Sequence, residues 1–131
     1  MNRRDFLIAS SALLALPGAA FARSYVRYEA GAERALLAGD KAVLLDFSAT
    51  WCSTCKAQER AMNALRKENP AYDEKITFVN VDWDTFGRSK LANSLNIPRR
   101  STLVLMRGDT ELGRVVARTS KRDIKTLLDL A

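Results

Sequence analysis

The chain has 131 residues, 47% of them hydrophobic and 27% charged, with 6 Gly and 3 Pro. That is the composition of one globular domain, and it excludes a disordered tail or a second domain. With no histidine and only two cysteines, Cys52 and Cys55, Ser-His and Cys-His catalysis, His-ligated metals, a disulfide framework and an all-cysteine zinc site within one chain are all ruled out.

Residues 1–22 read as an address. Arg3-Arg4-Asp5-Phe6-Leu7 opens an uncharged apolar stretch that ends in Pro17-Gly18-Ala19-Ala20-Phe21-Ala22. A basic start, a short apolar core and a small-x-small end predict a secretory signal peptide cleaved after Ala22. The paired arginines before Phe6 and Leu7 resemble the bacterial twin-arginine signal, although Ile8 stands where a polar or basic residue is commoner. A general secretory signal and an uncleaved anchor are the alternatives. The apolar stretch is shorter than the ~20 residues of a spanning helix, so no stable membrane insertion is expected. The expected destination is the periplasm, where disulfides persist, with a single domain over residues 23–131. The net charge of +6 is spread along the chain without a nucleic-acid motif, which makes nucleic acid a poor partner.

Along that domain, Gly31–Ala38 predicts a helix with Ala32, Ala35 and Leu36 on one face, stopped by Gly39-Asp40. Val43-Leu44-Leu45-Asp46-Phe47 is a nearly continuous apolar run, as in a central strand covered on both faces. Ser53–Glu68 predicts a helix with Cys55, Gln58, Met62 and Leu65 on one stripe, ended by Asn69-Pro70. Ile76–Val81 reads as a strand and Thr85–Leu95 as a short helix. Thr102–Met106 and Leu112–Ala117 read as strands joined by a turn at Arg107-Gly108-Asp109-Thr110. Ser120 and Asp123 form a capping-box pattern before a last helix carrying Ile124, Leu127 and Leu128. The sum is an α/β layout, a mixed sheet between helices.

Cys52-Ser53-Thr54-Cys55 sits where the buried strand meets the helix. The first N–H groups of a helix lack partners and its dipole is positive there, so a thiolate at Cys52 is stabilised below the free value of ~8.5. Cys55, one turn further in, is placed to attack a mixed disulfide formed at Cys52. A purely structural disulfide would close a tiny loop and stabilise little. Haem attachment needs His where Lys56 stands, and zinc needs ligands from another chain.

Leu44-Leu45-Asp46-Phe47-Ser48-Ala49-Thr50-Trp51-Cys52-Ser53-Thr54-Cys55-Lys56 resembles the active-site segment of thioredoxin-like proteins. The Thr before the second cysteine is most similar to the periplasmic C-terminal domain of transmembrane thiol-disulfide reductases. The resemblance implies a thioredoxin fold, a central mixed β-sheet flanked by helices. It implies that Cys52 is an exposed nucleophile, Cys55 the resolving thiol and Trp51 the aromatic beside the site. It also makes Asp46 a buried carboxylate that relays protons to Cys55, its pKa raised toward neutrality by the apolar strand.

Four departures from the family's pattern carry expectations of their own. Ser53-Thr54 replaces Gly-Pro, and Arg60 replaces a helix-kinking proline. Phe78 stands where a buried lysine would face Asp46. Ser101 takes the place of the proline that flanks the dithiol, with Pro98 as the alternative under a shifted loop. Ser101 is expected on a trans peptide, its N–H beside the dithiol and Cys52 more open than in the family. Arg99 and Arg100 then flank the site and favour acidic substrates. Trp51, Arg100 and Ser101 form the expected substrate-facing set.

The expected activity is periplasmic thiol-disulfide exchange, in the direction of protein disulfide reduction. It needs no cofactor beyond the redox-active Cys52–Cys55 pair. Protein disulfides are the substrates, a membrane thiol-electron carrier recharges the pair, and the protein acts as a monomer. The alternatives are a disulfide-forming oxidant and a metal or iron–sulfur binding protein using the same thiolates.

Overall fold

The computed structural model describes residues 24–131, so the signal-peptide reading of residues 1–22 lies outside the described residues. The sheet is built on β2 (Ala42–Ser48), with β3 (Ile76–Asp82) parallel to it on one side and β4 (Thr102–Arg107) antiparallel on the other. β1 (Val26–Arg27) extends β3, and β5 (Thr110–Val116) extends β4, giving the order β1-β3-β2-β4-β5. A strand with neighbours on both edges and helices on both faces is largely apolar, Asp46 being the exception in β2. Leu44, Leu45 and Phe47 are accordingly almost completely buried, each contributing about 1.5–3 kcal/mol by leaving water.

The two faces hold separate cores. On one, Leu44, Phe78, Leu103 and Leu105 pack with Met62 and Leu65 of α2 (Ser53–Glu68) and with Ile124 and Leu128 of α6 (Lys121–Leu128). On the other, Val43, Leu45, Phe47, Val79 and Val104 pack with Leu91 and Ala92, and with Leu36 of α1 (Glu33–Leu36). Successive strand residues alternate between faces, so Asp46 shares the α2 side with Leu44. It stands opposite Asn80 on β3 and Leu103 on β4.

The helix expected over Thr85–Leu95 is two short ones, α4 (Trp83–Phe86) and α5 (Lys90–Ser94). Gly87 separates them at a close approach, where an added Cβ would lie 2.7 Å from the Trp83 carbonyl oxygen. Ser89 then caps α5 by accepting the Ala92 N–H. The first helix is shorter than expected, and α3 (Ala71–Lys75) follows Pro70 where the sequence suggested only a stop. The β4–β5 turn tightens onto Gly108-Asp109, with Gly108 at φ +56°. Ser120 caps α6 by accepting the Asp123 N–H at 3.1 Å.

Candidate active site

The dithiol sits where β2 hands the chain to α2. Cys52 is the N-cap of the 16-residue α2, and its sulfur accepts the Cys55 N–H at 3.1 Å. Its own N–H donates to the Ala49 carbonyl and its carbonyl accepts the Lys56 N–H. The two cysteines are joined as a disulfide with Cα atoms 5.3 Å apart. Sulfur thus satisfies one of the orphan donors that a helix start leaves open, in a position where the helix dipole favours negative charge.

Ser101 roofs this pair. Its hydroxyl oxygen lies 3.2 Å from the Cys52 sulfur and 3.1 Å from the Cys55 sulfur. Ser101, not the exposed Pro98, is therefore the residue that faces the dithiol, and no peptide bond among the described residues is cis. Two expectations are corrected here. The Ser101 N–H does not point at the sulfurs; it donates to the Phe47 carbonyl at 2.8 Å, with Ser101 held at φ +62°. Cys52 and Cys55 are also each only 3% exposed, with the Ser101 hydroxyl against both sulfurs. In this oxidised form Cys52 is not the exposed residue the resemblance implied.

The roof is tied down from behind. The Ser101 carbonyl accepts from the side-chain amide of Gln58 at 3.0 Å and from the Ala117 N–H at 2.8 Å. The same Gln58 amide donates to the Arg118 carbonyl at 3.0 Å. Gln58 looked like one more member of the inward stripe of α2. Its polarity amid apolar neighbours was the available signal, and its partners, 43 and 60 residues away, were not.

Under Cys55 lies a cleft of about 270 Å³ lined in part by Asp46, Lys56, Glu59, Asn80 and Asp82. Asp46 is 2% exposed and one of its carboxylate oxygens has no hydrogen-bond partner. Burial, reinforced by the nearby Glu59 charge, raises its pKa from 3.8 to about 7. A group poised there exchanges protons at neutral pH. Phe78, at the position read as the site of a lysine, carries the Arg66 guanidinium over its ring at 4.0 Å. That cation is engaged by Asp73 at 2.6 Å.

Outside the roof, Trp51 is 58% exposed. Its indole N–H donates to Asp84 at 2.9 Å, and the Arg100 guanidinium lies 4.5 Å from its ring centroid, a cation–π contact. Arg99 turns back and donates to the Arg100 carbonyl. The structure thus brings Asp46, Trp51, Cys52, Cys55, Arg100 and Ser101 to one end of the sheet. It adds Gln58, Glu59 and Asp84, which sequence reasoning did not assign. Among the described residues no three His, Cys, Asp or Glu side chains converge on a metal position. No helix of the described residues is long and apolar enough to cross a membrane.

A family model described as thioredoxin matches residues 27–130. A thioredoxin of Echinococcus granulosus is 35% identical over 82 residues, which make up 63% of this chain and 71% of that protein. Mitochondrial thioredoxin-2 of Schizosaccharomyces pombe is 33% identical over 94 residues, 72% of this chain but only 63% of that protein's length. Among solved structures, Trxlp from Edwardsiella tarda EIB202 superposes with a TM-score of 0.68 at 28% identity, covering 80% of this chain and 98% of that one.

Proposed function

This chain belongs to the thioredoxin family and is a disulfide oxidoreductase built on the Cys52–Cys55 pair, and from that premise we propose that it reduces protein disulfides in the bacterial periplasm. One observation carries the reading: a dithiol capping α2, with Cys52 at the helix start and Cys55 over the cleft that holds Asp46. In the reduced protein the Cys52 thiolate attacks a substrate disulfide. A mixed disulfide forms, and one substrate sulfur leaves as a thiolate that takes a proton from water. Cys55 gives its proton to Asp46 and attacks the Cys52 sulfur. The second substrate sulfur leaves as a thiolate, Asp46 gives up the proton it took, which ends on that sulfur, and two electrons have passed from the dithiol to the substrate.

The oxidised pair is recharged by a membrane thiol-electron carrier. This accords with the likeness of Trp51-Cys52-Ser53-Thr54-Cys55 to the periplasmic domains of transmembrane reductases. The periplasmic assignment rests on residues 1–22 and their paired Arg3 and Arg4, and the protein works there as a monomer over residues 23–131.

Two measurements test the reading. Equilibration of the domain in glutathione buffers gives its potential. A value near the ~−270 mV of reducing dithiols supports reduction, and one near ~−120 mV makes it a disulfide-forming oxidant. Replacing Arg3 and Arg4 with lysines strands unprocessed protein in the cytoplasm, because the guanidinium pair is read by a receptor. Unchanged export and cleavage would remove the twin-arginine route.

A further inference from the structure

Resting on the dithiol chemistry just described, we infer that the Ser101 hydroxyl is a catalytic group that follows the negative charge from one cysteine to the other. The argument begins with its place. It is fully buried, equidistant within 0.1 Å from the two sulfurs at 3.2 and 3.1 Å, and held by bonds that do not use the hydroxyl. Backbone N–H to Phe47 and backbone carbonyl to Gln58 and Ala117 fix the residue on three sides. Only the O–H is left to turn.

A hydroxyl is one donor and two acceptors. In the reduced protein it donates to the Cys52 thiolate while accepting the Cys55 S–H, so one oxygen stabilises the charge and holds the second proton. Once Cys52 is bonded to substrate, it carries no charge to stabilise. Cys55 releases its proton to Asp46, and the hydroxyl rotates to donate to the Cys55 thiolate that then attacks. No bond to oxygen is made or broken, and the hydroxyl ends each cycle with the proton it began with.

Hydrogen bonds to charged groups are the strong ones, and this one lies away from water, where such a bond strengthens further. Its loss is therefore expected to raise the Cys52 pKa by about one unit, a tenfold loss of thiolate below that pKa. Above the raised pKa, where the reduced form is ionised, it loses stability by the same factor, so the potential there becomes more negative by about 30 mV. Proline offers no such donor, and neither does alanine or glycine.

The test uses Ser101→Ala and Ser101→Gly, the second chosen because glycine accepts φ +62° without strain. Thiolate absorbance and the pH profile of alkylation are measured for wild type and both variants, together with circular dichroism and the glutathione equilibrium. The expected result is a Cys52 pKa about one unit higher in both variants, with an unchanged fold. Titration curves that coincide with wild type in either folded variant overturn the role of Ser101. If wild type itself neither reduces a protein disulfide nor forms a thiolate below the free-cysteine value, the reductase reading falls first. The two failures are thus told apart by the wild-type control.

Discussion

Cys52 and Cys55 share a roof and a helix yet stand in opposite surroundings. Cys52 caps α2, with the Trp51–Arg100 stack beside it at the surface. Cys55 looks into a cleft where Asp46, Glu59 and Asp82 outnumber Lys56. A helix start favours a thiolate, whereas a buried carboxylate and its acidic neighbours oppose one. Two identical side chains three residues apart are thereby assigned different chemistry, one to attack and one to hold its proton until it is needed.

The sharpest way to break this contrast is to remove each sulfur in turn. Cys52→Ser is expected to abolish disulfide reduction, while Cys55→Ser accumulates mixed disulfides through Cys52 that mass spectrometry detects. In the reduced wild type, alkylation at roughly pH 6 labels Cys52 well before Cys55. Equal rates would mean that the surroundings do not distinguish the two thiols.

The next effect belongs to the floor of the cleft. With the Asp46 pKa raised from 3.8 to about 7, the folded protein binds more protons than the unfolded chain across that window. Stability is therefore greatest below the ordinary carboxylate value, falls as pH rises, and levels off above about 7. The loss is on the order of 4 kcal/mol. Asp46→Asn is expected to flatten this slope in denaturant titrations and to slow the Cys55 step roughly 100-fold. A slope unchanged by the substitution would place the titrating group elsewhere.

A smaller effect is expected from Ser101→Pro. Proline has no N–H for the Phe47 carbonyl and its φ is fixed near −65°, far from the +62° observed. The variant should lose more than about 1 kcal/mol of unfolding free energy. Least affected is Arg100→Ala, which removes a half-buried cation–π contact worth ~0.5–1 kcal/mol. It should lower kcat/KM severalfold for disulfides flanked by acidic residues and leave neutral substrates nearly unchanged.

Much of this site was legible in the sequence because its parts are local. A buried strand interrupted by Asp46, then Trp51-Cys52 and a helix with Cys55 one turn in, can be read along one continuous segment. The placement of Ser101 opposite the pair also follows from aligning Thr102–Leu105 with a strand. What stayed hidden depends on distant partners. The rotation of Ser101 is set by Phe47, Gln58 and Ala117, and the pairing of Trp51 with Asp84 spans 33 residues. The break between α4 and α5 left no mark in the pattern, because the inward-facing Leu91, Ala92 and Leu95 all lie beyond it and their helical spacing says nothing about residues 87–89. Two-residue β1 is too short to leave a pattern.

The bond from the Ser101 amide to Phe47 has a consequence for isotope exchange. Ser101 precedes β4, yet its N–H is pinned to the end of the central strand β2 at 2.8 Å. Deuterium will enter it as slowly as it enters the neighbouring strand amides, through openings that also part β4 from β2. In the oxidised protein, the exchange rate at this single amide counts how often the roof over the disulfide lifts.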